Sequence, residues 1–159
     1  MKRMDILNWD QYFMALAHLS SHRSKDPSTQ VGAVIVDKNN RVVSIGYNGF
    51  PQGCSDDDYP WKKTGDFLEN KYAYVVHAEL NAILNAPRSI HECKIYVSLF
   101  PCNECAKAII QSGIKEIIYE SDKHHASDSV IASKKMLKSS GISFRQMKEV
   151  IEVKCLIKK

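Results

Sequence analysis

The chain has 159 residues, with 22 Lys and Arg against 18 Asp and Glu, so its formal net charge is +4. Apolar residues make up 44% of it and charged residues 25%. These proportions suit a single globular domain, 1–159, with its own core, and exclude collagen, coiled coil and wholesale disorder. No apolar run approaches the roughly 18 residues that a membrane span needs. The charged start Met1-Lys2-Arg3-Met4-Asp5 has no apolar stretch of signal-peptide type behind it, so a cytoplasmic protein is expected. The charge suits an anionic ligand without demanding nucleic acid. Five cysteines, an odd number in a chain without an export signal, argue against a disulfide framework. Lys158 and Lys159 read as a solvated tail.

Along the chain, Asn8 is placed to cap a first helix in which Trp9, Tyr12, Phe13, Leu16 and Leu19 recur at helical spacing to about Ser20. Ser24 to Ser28, with Pro27, reads as a loop. Val31 to Val36 is a short apolar run expected as a buried strand, and Arg41 to Tyr47 as its hairpin partner across the turn 37–40. An irregular stretch follows from Asn48 to Tyr72, long enough in a compact domain to imply a function. A second helix is expected over Ala78 to Ala86, stopped by Pro87. Then come a strand over Lys94 to Leu99, a helix over Cys102 to Ser112 closed by Gly113, and a strand over Ile114 to Tyr119. Ser127 or Asp128 caps a fourth helix ended by Gly141. Ile142 to Phe144 and Val150 to Ile157 offer one or two edge strands. The order predicts an α/β fold with a mixed sheet covered by helices on both faces.

Two fragments carry chemistry: His77-Ala78-Glu79 and Pro101-Cys102-Asn103-Glu104-Cys105. Each sits at an expected helix start. Cys102 and Cys105 are spaced to face one way on a helical turn, where free N–H groups favour thiolates. Two thiolates make half of a tetrahedral zinc site. A redox C-x-x-C would leave His77 and Glu79 without a task. With His77 as third ligand the site keeps one position for water, which describes a catalytic zinc. Such a water loses its proton near neutral pH. Glu79 stands beside the metal, free of it, where it can move that proton. Taken alone, His-x-Glu is only a helix start with a favourable acidic residue. Joined to P-C-x-x-C in the next α/β unit, it reads as a catalytic pair.

H-x-E…P-C-x-x-C is the pattern of the zinc nucleobase deaminases, and the sequence resembles the cytidine deaminase superfamily. The segments Gly46-Tyr47-Asn48-Gly49-Phe50-Pro51, Gly53-Cys54-Ser55-Asp56-Asp57, His77 to Ile83, Phe100 to Ala106 and Gly113 to Ile118 are similar to the deoxycytidylate (dCMP) deaminases. The resemblance runs from about Trp9 to Phe144, and the Gly46–Asp57 segment narrows it to that branch. It implies a three-layer α/β/α fold with a five-stranded mixed sheet. It implies His77, Cys102 and Cys105 as ligands of one Zn(2+) per chain and Glu79 as proton shuttle. The reaction implied is attack of a zinc-held hydroxide on C4 of dCMP, giving dUMP and ammonia. Backbone N–H groups beside Ala78 and Cys102 are free helix-start donors that can hold the substrate carbonyl or the metal's water.

A nucleotide deaminase must also hold sugar and phosphate. Asn48 is the candidate for a sugar hydroxyl, against the reading of a turn asparagine before Gly49. For phosphate, Arg23, Lys25 and Ser28, with Thr29, fall in the loop before the first strand. Lys123, His124 and His125 form a second basic cluster. Phe50, Tyr59, Trp61 and Tyr74 can close a base pocket, although aromatics more often serve the core. The resemblance further implies a homohexamer activated by dCTP and inhibited by dTTP, with Mg(2+) accompanying the triphosphate. Gly46, Tyr47, Asn48, Gly49, Asp56 and Asp57 are the candidates for that regulatory site. Phage relatives with a second zinc use cysteines around the first hairpin. Here the loop carries Asp26 and Pro27 instead, so one zinc is expected. Rival readings are a deaminase of free cytidine, guanine, tRNA adenosine or single-stranded polynucleotide, and a zinc-stabilised binding module. No basic, aromatic stripe for nucleic acid is visible, and a closed zinc site would need a fourth ligand.

Overall fold

The computed structural model describes residues 1–158. The reading of Lys159 as solvated tail lies outside the described residues. Helix α1, Trp9–Ser21, begins at Asn8, whose side chain accepts from the Gln11 N–H while Gln11 returns a bond to the Asn8 N–H. That reciprocal cap satisfies two donors that a helix start leaves free. Strands β1, Gly32–Val36, and β2, Val42–Tyr47, form the hairpin, and its turn is held by the Asp37 carboxylate, which accepts from the Asn39 and Arg41 N–H groups. Helix α2, Ala78–Leu84, is shorter than the expected 78–86. Pro87 bars the helical conformation at Ala86, and Asn85 already serves as the cap. Then follow β3, Lys94–Leu99, α3, Asn103–Ser112, β4, Glu116–Ser121, α4, Asp128–Ser139, and β5, Ser143–Gln146.

The five strands lie in the order β2-β1-β3-β4-β5. β1 is antiparallel to both neighbours, whereas β3, β4 and β5 run parallel, so the sheet is mixed as expected. Strand alternation sorts the side chains into two cores. Ala33, Ile35, Ile95, Val97, Ile117 and Tyr119 pack with α2, α3 and α4; Val34, Val36, Tyr96 and Ile118 pack with Phe13, Met14 and Ala17 of α1. Helices therefore cover both faces, in three layers.

Two glycines set how closely these layers approach. A Cβ at Gly32 would collide with the Ala17 carbonyl of α1, and one at Gly46 with the Ala78 carbonyl and Ala82 N–H of α2. The absence of a side chain lets α2 lie directly on β2, which fixes where its first residue sits.

Val150 to Ile157 does not form a strand. The Met147 N–H bonds the Tyr119 carbonyl just past β5, after which the Ile151 N–H is captured by the Glu120 carboxylate. The chain is thereby drawn across the α1 face, where Met147 and Ile151 pack against the core. Among the described residues no helix is long and apolar enough to cross a membrane.

Candidate active site

Both signature fragments become helix caps. His77 is the N-cap of α2, and Cys102, expected as the first residue of α3, is instead its N-cap. Its Sγ accepts from the Cys105 N–H at 3.5 Å. A sulfur thus fills the place that a serine or aspartate oxygen usually takes. Only Phe100 and Pro101 separate Cys102 from the end of β3, so the sheet places the α3 start beside the α2 start.

There His77 Nδ1 lies 3.4 Å from Cys102 Sγ and 3.5 Å from Cys105 Sγ. The three donor atoms all fall within 4.8 Å of one another, and no fourth His, Cys, Asp or Glu joins the set among the described residues. One imidazole nitrogen and two sulfurs form the donor set of a catalytic zinc.

The electrostatics of the three fit that use. The Cys102 thiol is lowered to about 4, chiefly by the hydrogen bond from Cys105 and then by His77. Cys105 is pushed up, first by the Cys102 sulfur and then by burial. His77 is raised to about 9, chiefly by its bond to Cys102 and against the effect of burial. The protein alone thus balances one thiolate with an imidazolium and a thiol. A divalent cation replaces those protons.

Glu79 stands in the first turn of α2 and is only 4% exposed. Burial raises its carboxyl, and the neighbouring His77 opposes that shift. A carboxyl pushed up by desolvation is suited to taking and returning a proton near neutral pH.

These groups open on a cavity of about 240 Å³, lined by His77, Ala78, Glu79 and Cys102 at one end and by Asn48, Thr29 and Val31 at another. Asn48 is 6% exposed and heavily engaged. Its Oδ1 accepts from the Val31 N–H at 2.8 Å, and its Nδ2 donates to the Thr29 carbonyl at 2.9 Å. His124 also lines the cavity, whereas Lys123 and His125 line a separate open groove.

Arg23, Lys25 and Ser28 are exposed and none of them lines the cavity. Lys25 is ion-paired with Asp56 on the long loop, and Ser28 contributes its N–H to the Asp26 carboxylate at 2.8 Å. Sequence position placed all three near the site, but their side chains point out of a turn whose interior belongs to Asp26.

The other loop candidates lie apart from the cavity, Asn48 excepted. Gly46 packs under α2, and the Tyr47 carbonyl accepts from Asn81 Nδ2 at 2.8 Å. Gly49 exchanges both backbone bonds with Val76, tying the loop's start to the residue before His77. Asp57 is exposed. Phe50, Tyr59, Trp61 and Tyr74 stack on one another within the loop and leave the cavity wall to Tyr72 and Phe100.

Sequence reasoning missed Lys63, Lys71 and Asp26 in the cavity wall. Lys71 and Asp26 form an ion pair with side chains 6% and 1% exposed. Buried charges at positions 45 residues apart leave no local pattern, and only the fold joins them.

The family model described as the cytidine and deoxycytidylate deaminase zinc-binding region matches residues 7–121. The chain is 56% identical to the deoxycytidylate deaminase of Homo sapiens over 147 residues, covering 91% of this chain and 83% of that one. It is 36% identical to the deoxycytidylate deaminase of Saccharomyces cerevisiae over 144 residues, covering 87% of this chain and 45% of that one. Its fold superposes with a TM-score of 0.68 on the dCMP deaminase of cyanophage S-TIM5 in complex with dCMP and dUMP. That match has 25% identity and covers 86% of this chain and 95% of the phage protein. With its His-Cys-Cys donor set inside the matched region, the chain belongs to the cytidine and deoxycytidylate deaminase family, on its deoxycytidylate deaminase branch, and is a zinc-dependent deaminase.

Proposed function

We propose that the chain, as one deaminase domain over 1–159, converts dCMP and water to dUMP and ammonia. The observation that carries this reading is the meeting of the His77, Cys102 and Cys105 donor set with the buried Glu79 at a cavity of about 240 Å³. The phage relative captured with dCMP and dUMP supports the choice of substrate and product.

His77, Cys102 and Cys105 hold one zinc per chain. The metal supplies a Lewis acid that makes a water nucleophilic at neutral pH. Glu79 takes a proton from the attacking water and passes it to N3 of the pyrimidine. It then takes the proton left on the oxygen added at C4 and delivers it to the amino group, so that C4=O forms, the C4–N bond breaks and ammonia leaves. Its raised affinity for protons lets one carboxyl serve both transfers. The backbone N–H of Ala78, at the α2 start, orients the base.

Asn48 faces the sugar with the one lone pair that its protein bonds leave free. Besides His77, the basic side chains that line the cavity are Lys63, Lys71 and His124. Lys71 is committed to Asp26, so Lys63 and His124 are the phosphate partners. Arg23, Lys25 and Ser28 then act, if at all, outside this cavity.

Regulation by dCTP and dTTP with Mg(2+), at the loop that carries Gly46, Tyr47, Gly49, Asp56 and Asp57, belongs to the same reading. So do a homohexamer, a cytoplasmic location and a role in supplying dUMP for thymidylate synthesis, with neither nucleic acid nor membrane as partner.

The test is ammonia release from dCMP beside deoxycytidine, with zinc counted on the same sample and with dCTP plus Mg(2+) added or withheld. Turnover of dCMP with deoxycytidine spared is the expected result. Equal turnover of deoxycytidine removes the phosphate assignment, and zinc-loaded protein inert toward both removes the reaction.

A further inference from the structure

The Asp26–Lys71 pair lies in the cavity wall, and neither side chain is hydrogen-bonded to His77, Cys102, Cys105 or Glu79. Its contacts run instead to Asn48. Asp26 Oδ1 accepts from the Ser28 N–H at 2.8 Å and the Thr29 N–H at 3.2 Å, closing a turn. That turn presents the Thr29 carbonyl, which accepts from Asn48 Nδ2 at 2.9 Å. Asp26 Oδ2 faces the same Nδ2 at 3.4 Å.

On the far side of the amide, Asn48 Oδ1 accepts the Val31 N–H. Only an NH₂ can satisfy two oxygens and only the carbonyl can satisfy an N–H, so this set admits one orientation of the amide. The sole group left free on Asn48 is a lone pair of Oδ1.

Asp26 can be buried in this role because Lys71 neutralises it. Lys71 comes from the long 48–76 segment, where its own N–H bonds the Lys62 carbonyl and Asn70 caps its short helix.

We infer that Asp26, charge-balanced by Lys71, is a positioning residue that fixes the Asn48 amide toward the nucleotide, so that the pair sets substrate affinity without entering the chemistry. This rests on the reading of Asn48 as a substrate-facing group. The pair also explains why a lysine in the cavity wall is not a phosphate ligand: its charge is already spent on Asp26.

The test uses the full-length, zinc-loaded protein and two double variants that remove both charges together. D26A/K71M deletes the carboxylate acceptors of the turn. D26N/K71M keeps an oxygen for the turn but sets an NH₂ against the Asn48 NH₂.

KM for dCMP is expected to rise about tenfold or more in D26A/K71M and by less in D26N/K71M. In both, kcat stays within about threefold and zinc content matches the parent protein. A KM unchanged in folded, zinc-loaded D26N/K71M overturns the inference, as does a loss confined to kcat or to thermal stability. If D26A/K71M does not fold, D26N/K71M decides by the same criteria.

N48A separates the inference from the reading beneath it. If N48A leaves KM unchanged, Asn48 does not face the substrate and the underlying reading fails. If N48A raises KM while both double variants do not, the positioning role of Asp26 fails alone.

Discussion

The two faces of the sheet partner their ionisable groups in opposite ways. Under α1, Asp10 accepts from Arg145 at 2.7 and 2.9 Å and from the Tyr96 hydroxyl at 2.7 Å, while Arg145 reaches Glu116 at 3.0 Å. His18 closes the same face on Glu120 at 3.0 Å. Each of these groups has a protein partner. Under α2 and α3, by contrast, His77, Cys102 and Cys105 have mainly one another, and Glu79 is raised by burial, with His77 the largest of the influences that oppose the shift. The first face spends its polar groups on holding strands and helix together. The second leaves groups in reserve for a metal, a water and a substrate. Substitutions on the two faces should therefore separate stability from chemistry.

The largest separation is expected at Glu79. E79Q keeps the size of the side chain and removes only its ability to carry protons. Turnover of dCMP should fall by about 10²–10⁴-fold. Zinc content and the melting temperature should stay at or above the parent values, since an amide is less costly than a carboxylate to bury. Metal analysis and thermal unfolding on the assayed sample check this. A variant that loses zinc along with activity would place Glu79 among the structural groups of its face.

The split between faces also explains what the sequence made legible. His77, Glu79, Cys102 and Cys105 were readable because each pair sits within three residues on one helix start, so a short motif contains the chemistry. The strands were readable from apolar runs such as Ala33 to Val36. Boundaries shifted where a single contact decided them, as when Cys102 became a cap and the Glu120 carboxylate diverted the tail at Ile151. Asp26, Lys63 and Lys71 were not readable. Lysines and aspartates in loops are ordinarily solvated, and nothing local distinguishes Asp26 from Asp57, or Lys71 from Lys25. The misplacement of Arg23, Lys25 and Ser28 has the same origin. Position in the chain brings a loop near a site, but which side chains turn inward depends on the Asp26 turn.

A smaller effect, but one on each face, is expected at the two close-packed glycines. In G46A the new methyl meets the Ala78 carbonyl and lies 3.0 Å from the Ala82 Cα, so α2 must move and take the His77 cap and Glu79 with it. Overpacking of this kind costs about 1–3 kcal/mol, and displacement of the catalytic helix by even part of an ångström should lower kcat by up to about 10²-fold. G32A drives its methyl into the Ala17 carbonyl of α1 instead. A comparable loss of stability is expected there, with turnover per folded, zinc-loaded molecule largely kept. Urea unfolding and active-site zinc counts on both variants make the comparison. Equal losses of turnover would mean that the faces are mechanically coupled through the sheet.

The smallest effect is expected at Asp10, and its pH dependence has a definite sign. Hydrogen bonding to Arg145 is the main influence holding the Asp10 carboxyl below its ordinary 3.8, with burial opposing. A carboxyl whose affinity for protons is weaker in the folded chain stabilises the fold where it is ionised. That contribution is complete above the ordinary value and is lost as the pH falls through the folded one. Asp10 and Arg145 remain 32% and 46% exposed, so solvent screens the pair and the loss in D10N at pH 7 should be about 1 kcal/mol or less. The gap in urea midpoint between parent and D10N should close as the pH is taken below 3.8. Deamination per folded molecule at pH 7 should not change. A gap that widened in acid would show that the amide costs stability through the Tyr96 hydroxyl, which donates to the same carboxylate, and not through the lost charge. A drop in turnover at constant stability would mean that even the α1 face, whose Asp10, Arg145 and Glu120 are held by protein partners, reaches the chemistry on the other side of the sheet.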